Sequence, residues 1–201
     1  MAFYGLKHIY AAQYANAGGT ITYGTPVKVG DSISAQIESE NAEASLYAED
    51  GLAEYISAMV GGSISIGVKY IIDEAQKLLF GMQEKERSVS YKPVGTTATA
   101  TATVKSLTIG GHDDGSYVGL AFYAPSMKDG AKVFTCVFIK KALFGPPGMN
   151  FQTKGQNITF NTPTTSGRFL MDDTTGTRFY ERAVVEDENE AIAWCTAVFT
   201  A

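Results

Sequence analysis

Two short stretches hold the residue types from which a metal or acid–base site could be built. Gly111-His112-Asp113-Asp114-Gly115 sets an imidazole beside two carboxylates, groups that bind a divalent metal or exchange protons in general acid–base catalysis. Asp172-Asp173-Thr174-Thr175-Gly176 offers the oxygen donors of a calcium loop but lacks the ligand spacing and closing Glu of an EF-hand. A plainer reading covers both, because Asp-Gly and Gly-Gly are turn formers and each stretch is expected to be a polar hairpin turn. A catalytic zinc site takes about three protein ligands, and the only other histidine, His8, lies far away in the sequence. Cys136 and Cys195 are the only cysteines and fall in apolar runs. Buried free thiols are expected there, with a disulfide or a shared metal as the alternatives. The chain has no phosphate loop, dinucleotide fingerprint, Gly-x-Ser-x-Gly elbow or Cys-x-x-Cys pair. No catalytic residue, metal or cofactor is therefore expected.

Charge is the more informative feature. Between Lys28 and Lys69 no Lys or Arg occurs, whereas Asp31, Glu38, Glu40, Glu43, Glu49, Asp50 and Glu54 all do. A field of one sign repels like-charged polymers and attracts cations. The net charge of −5 argues against tight binding to a nucleic-acid backbone, which needs clustered cations. Only 18% of residues are charged, below the roughly 25% of ordinary soluble domains. Such a surface suggests cover by something else, and self-assembly is the economical source of it.

The dominant hydrophobic period along the chain is two. Ile33, Ala35 and Ile37 alternate with polar neighbours, as do Ile64, Ile66 and Val68, and later Ile158 and Phe160; such alternation predicts half-buried strands. Val133–Ile139 is apolar on both faces and predicts a central strand covered twice. Ile192–Phe199, which contains Trp194, is read as a similar final strand. Ile71, Ile72, Ala75, Leu78 and Leu79 instead share a helical face, with acids in the first turn and Gly81 at the C-cap position. Thr96–Thr103 alternates Thr and Ala and suits a strand with small side chains. Phe144-Gly145-Pro146-Pro147-Gly148 must turn, and Glu186–Glu190 reads as a solvated turn. Ser39–Gly51 lacks clear alternation and is expected to be a long acidic loop. Leu46 and Tyr47 are exposed apolar groups within it, which suggests a contact surface.

These elements predict one mainly β domain over residues 1–201: two packed antiparallel sheets, a sandwich or barrel, with one short flanking helix. The acidic loop spans about 39–51, and a less clearly patterned C-terminal segment follows about residue 167. No apolar run approaches the roughly 20 residues of a spanning helix, and the first residues lack a signal-peptide pattern. Folding in a cytoplasm without membrane insertion is expected.

Several stretches together resemble one family. They are Tyr4-Gly5-Leu6-Lys7-His8-Ile9-Tyr10-Ala11, Gly24-Thr25-Pro26-Val27-Lys28, Leu46-Tyr47-Ala48-Glu49-Asp50-Gly51, Leu78-Leu79-Phe80-Gly81, Phe144-Gly145-Pro146-Pro147 and the run from Thr153 to Pro163. In this order, from Tyr4 to about Gly167, they resemble the major tail proteins, or tail tube proteins, of long-tailed (siphovirus-type) bacteriophages. The resemblance implies a structural subunit of the virion tail, made in the host bacterial cytoplasm. It implies homo-oligomeric hexameric rings that stack on a tape-measure protein and meet tail terminator and tail-tip proteins. Double-stranded DNA passes through the lumen without specific binding, and six copies at −5 would carry −30 per ring. On this view Leu46, Tyr47, Glu49 and Asp50 are candidate inter-subunit or inter-ring contacts. Asp31, Glu38, Glu40 and Glu54 are candidates for a DNA-repelling wall. The inner tube of a contractile tail or bacteriocin is a related alternative. A β-sandwich carbohydrate-binding module is an unrelated one, although its aromatic platform has no obvious source if Trp194 lies in the core.

Overall fold

The run Val133–Ile139 forms the middle of a large antiparallel sheet, as its two apolar faces predict. A computed structural model describes residues 2–149, 151–153, 160–174 and 178–200. Along them lie strands β1 (Ala2–Phe3), β2 (Lys7–Ala17), β3 (Thr20–Tyr23), β4 (Val27–Gly30), β5 (Ser32–Ala48) and β6 (Gly51–Val68). Helix α1 (Asp73–Phe80) precedes β7 (Gln83–Tyr91), β8 (Ala100–Thr108), β9 (Val118–Lys128), β10 (Ala131–Phe144), β11 (Thr164–Phe169) and β12 (Tyr180–Val185), and α2 (Glu188–Ala197) ends the series.

The large sheet runs β3-β2-β9-β10-β11-β6-β5, and β7 with β8 makes a separate two-stranded sheet. Two strands divide their outer edges between two neighbours. β2 pairs β4 through Ile9–Ala11 and β3 through Tyr14–Ala17; β10 pairs β12 through Phe134–Ile139 and β11 through Ala142–Phe144. A sheet that splits in this way folds into layers rather than closing into a barrel. The fold is thus mainly β, with two antiparallel sheets in a sandwich-like arrangement.

Strand periodicity builds two cores from the same strands. Val118, Leu120 and Phe122 of β9 join Ile64, Ile66 and Phe169 in the first, while Ala121 and Tyr123 join Phe134, Cys136 and Phe138 in the second. Each large apolar side chain buried in this way contributes about 1.5–3 kcal/mol. Helix α1 closes the first core with Ala75, Leu79 and Phe80. Asp73 and Glu74 suit its positive N-terminal end, and Gly81 ends it at φ 70°, a left-handed conformation favouring glycine. A Cβ on Gly81 would also meet the Asp114 backbone. The helix has eight residues, shorter than the periodicity of Ile71–Leu79 suggests, because Ile71 and Ile72 pack on the core before the first turn.

Five expectations need correction. Ile192–Phe199 lies mostly in helix α2 instead of a strand: the Asp187 carboxylate accepts the backbone N–H of Asn189 at 2.7 Å, capping the helix. Ala191, Cys195 and Phe199, spaced by four, bury one face on the second core, with Trp194 half-buried beside them. A short apolar run does not reveal whether it is strand or buried helix. Glu186–Glu190 accordingly holds that cap, and Glu188 accepts the Tyr123 hydroxyl at 2.9 Å and the Lys7 ammonium at 2.6 Å. Ser39–Gly51 is no loop, since β5 and β6 pair continuously to a two-residue turn at Glu49 and Asp50. Gly111–Gly115 is not a hairpin tip either, because it crosses from β8 in the small sheet to β9 in the large one. Thr96–Thr103 is strand only from Ala100 onward. Residues 157–159 lie outside the described residues, and Phe160 is exposed and outside any strand.

Among the described residues no helix is long and apolar enough to cross a membrane. Asp187→Ala removes the α2 cap and is expected to lower stability by about 1 kcal/mol. Urea denaturation checks this as a lower midpoint at unchanged slope.

Candidate functional site

Asp113, Asp172 and Asp173, three of the sequence candidates for chemistry, are occupied in holding the chain together. Asp113 accepts the Gly110 backbone N–H at 2.7 Å and closes its own turn. His112 is exposed, while His8 stacks on Tyr123 in another part of the molecule. The buried Asp172 accepts the Arg178 N–H and the Thr174 hydroxyl, each at 2.8 Å, and lies 3.7 Å from the Lys140 ammonium. Asp173 accepts the Lys141 ammonium and the Tyr14 hydroxyl at 2.8 Å, and those bonds hold its carboxyl below the usual range. Thr175 and Gly176 lie outside the described residues. Cys136 on β10 and Cys195 on α2 are buried free thiols; contact with Cys136, then burial, pushes the Cys195 thiol up. Among the described residues no three His, Cys, Asp or Glu side chains stand close enough to hold a metal.

The acidic stretch divides among three environments. Asp31 lies in the turn between β4 and β5 and accepts the Lys28 ammonium at 2.9 Å, which holds its carboxyl below the usual range. Glu38 and Glu40 share one face of β5 with Gln36. Register carries that face across Ser63 and Ser65 of β6 to Ser166 and Arg168 of β11. It is polar throughout, while Ile64, Ile66 and Phe169, from the alternate positions, are fully buried on the other side. Glu40 forms an ion pair with Arg168, and Glu38 accepts the Gln36 amide at 2.7 Å. Glu54 is elsewhere, on the projecting part of the same hairpin.

That projection is the most unusual feature of the surface. Beyond the pairing of Glu40 with Gly61, a register shift marks the point where β5 and β6 leave the core. From Ser39 to Met59 no described side chain is buried. Leu46 is 58% exposed and Tyr47 70%, and Leu52, Tyr55, Ile56 and Val60 are at least half exposed. Glu49 and Asp50 form the tip with φ of 50° and 62°, the paired left-handed residues of a type I′ turn. Among the described residues, β5 pairs only with β6, so its other edge is open along 17 residues. Beside that edge lies an apolar groove of about 240 Å³ lined by Leu6, Ala35, Ile37, Phe122 and Val137 among others.

A second projection was not anticipated. Strands β7 and β8 form an isolated hairpin, and every residue of β7 is exposed. Val89 and Tyr91 alternating with Ser88 and Ser90 carried the necessary signal. At its base Glu84 pairs with Lys77 of α1 and, at 2.6 Å, with Lys105 of β8. These cations, Lys105 first, lower the Glu84 carboxyl to about 2.

Because this folded value lies below the ordinary 4.5, the ion pairs act fully above that pH and are lost as pH falls toward 2. Carboxyl NMR of Glu84 is expected to titrate near the lower value, and Lys105→Ala to move it back toward 4.5. A wild-type midpoint at 4.5 would contradict the three-residue cluster.

No protein-family model matches the chain, and no curated protein matches it in sequence.

Proposed function

We propose that this chain is a structural subunit that polymerises into the tube of a phage tail. The observation that carries this reading is the β5–β6 hairpin: a long open strand edge continuing into a projection with large apolar groups on both faces. An unpaired strand edge presents a row of N–H and C=O groups that templates pairing with another chain. Soluble proteins protect such edges with charge, prolines or bulges, or cover them with a partner. Exposed apolar groups on this scale mark a surface that is covered in the working assembly.

Assembly from copies of one chain through unlike surfaces yields rings when rotation closes and filaments when it does not. A stack of rings uses both kinds of contact. The resemblance of the ordered stretches from Tyr4 to about Gly167 supplies the identity of the tube, with tape-measure, terminator and tip proteins as its partners. The polar face bearing Gln36, Glu38, Ser63 and Ser65 is the candidate inner wall. Its hydroxyls, amides and carboxylates give passing DNA no cationic cluster to bind, and Arg168 is neutralised by Glu40.

Purified wild-type protein is expected to form rings or tubes of uniform diameter in negative-stain microscopy. Replacing residues 42–58 with Asn-Gly joins Asn41 and Met59, which pair in the hairpin, through a favoured two-residue turn. This variant is expected to stay folded by circular dichroism but to form no tubes. A wild-type chain that stays monomeric at high concentration with the tail partners present would overturn the reading.

A further inference from the structure

The two exposed hairpins carry matched patterns. Residues on directly opposed positions, or two apart on one strand, share a face. One face of β7–β8 presents Lys85 and Arg87 near its base, then Val89 and Tyr91, with Val104 across from Arg87. Lys92 follows at the tip. The acids Glu84 and Glu86 point from the opposite face, where Glu84 holds Lys77 and Lys105. The first face is therefore cationic at its base and apolar toward its end, and the turn beyond it carries one more cation.

One face of the β5–β6 projection runs acidic, apolar and acidic. Glu43 lies toward its base, Tyr47, Tyr55 and Leu52 follow, and Glu49 and Asp50 form the tip. Residues 39–60 contain five acids and no Lys or Arg, whereas residues 83–108 contain four Lys or Arg and two acids. The spans also agree. Glu43 to Glu49 extends about 20 Å and Arg87 to Lys92 about 17 Å, at roughly 3.3 Å per residue.

We infer that the β5–β6 projection of one copy docks along the Lys85–Arg87 face of the β7–β8 hairpin in a second copy. The inference rests on the tube reading above and names the contact that joins neighbouring subunits. The acids Glu43, Glu49 and Asp50 meet Lys85, Arg87 and Lys92, and the tyrosines and Leu52 cover Val89, Tyr91 and Val104. Opposite charges at both ends fix the register, since sliding one hairpin brings apolar groups onto unpaired charges. The contact joins unlike surfaces, so each copy has one donor and one acceptor and the chain of contacts can continue.

Two charge-reversed proteins test this. In Glu43→Lys/Glu49→Lys both hairpin faces are cationic, and in Lys85→Glu/Arg87→Glu both are acidic. Each alone should need at least a tenfold higher concentration than wild type to assemble, while keeping its circular dichroism spectrum. An equimolar mixture should assemble near the wild-type concentration, with the two proteins alternating in mass spectrometry of cross-linked neighbours. Assembly of either variant alone at the wild-type concentration overturns the docking but leaves the tube reading intact, as does a mixture that fails while wild type assembles. A DNA mobility shift by wild type, abolished by Lys85→Glu/Arg87→Glu with assembly unchanged, would assign the cationic face to nucleic acid instead. A monomeric wild type overturns both readings.

Discussion

Strands β9 and β10 are apolar on both faces, and a strand pair of that kind must be covered twice. The first face takes β2, β6, β11 and α1, and the second takes α2. Most other elements are placed by this demand. The sheet splits at β2 and β10 because each must reach partners in two layers, and α2 returns to β10 at the end of the chain for the same reason. Where the double cover stops, at Gly61 and Met82, both long hairpins leave the core, and none of the described side chains on either projection is buried.

Those hairpins change the meaning of the low charge density. A core this well covered needs no further apolar residues, yet six large ones lie exposed between Leu46 and Val60. In an isolated subunit they cost solubility without strengthening the fold. Their placement on an ordered, continuously paired hairpin gives them a shape that a flexible loop would lack, and a shaped apolar surface can be matched by a partner. Acids and cations at the two ends add selectivity more than affinity.

The positions of the carboxylates sort their roles. Asp172, Asp173, Asp187 and Glu188 belong to internal hydrogen bonds or ion pairs that tie turns and the last helix to the sheet. Asp31 and Glu40 have cationic partners nearby in space, although Glu40 and Arg168 are far apart in sequence. A net-charge argument alone treats them all alike. Glu43, Glu49 and Asp50 stand on the projecting hairpin, where they act on whatever approaches.

The linear sequence suffices for the mainly β class, the doubly covered strand at Val133–Ile139, the helix ending at Gly81 and the cation-free segment. Each depends on local periodicity, on a glycine-specific backbone conformation or on composition, all of which a linear reading retains. It failed where two structures share one pattern: Ile192–Phe199 is as apolar as a buried strand, and only the Asp187 cap and the second core beneath Ala191, Cys195 and Phe199 make it a helix. It also failed at Ser39–Gly51, because alternation appears only when one face is buried, and here neither is. Tertiary structure alone decided which acids are neutralised, which share a face and which stand on exposed hairpins, since these depend on register and on contacts between residues distant in the chain.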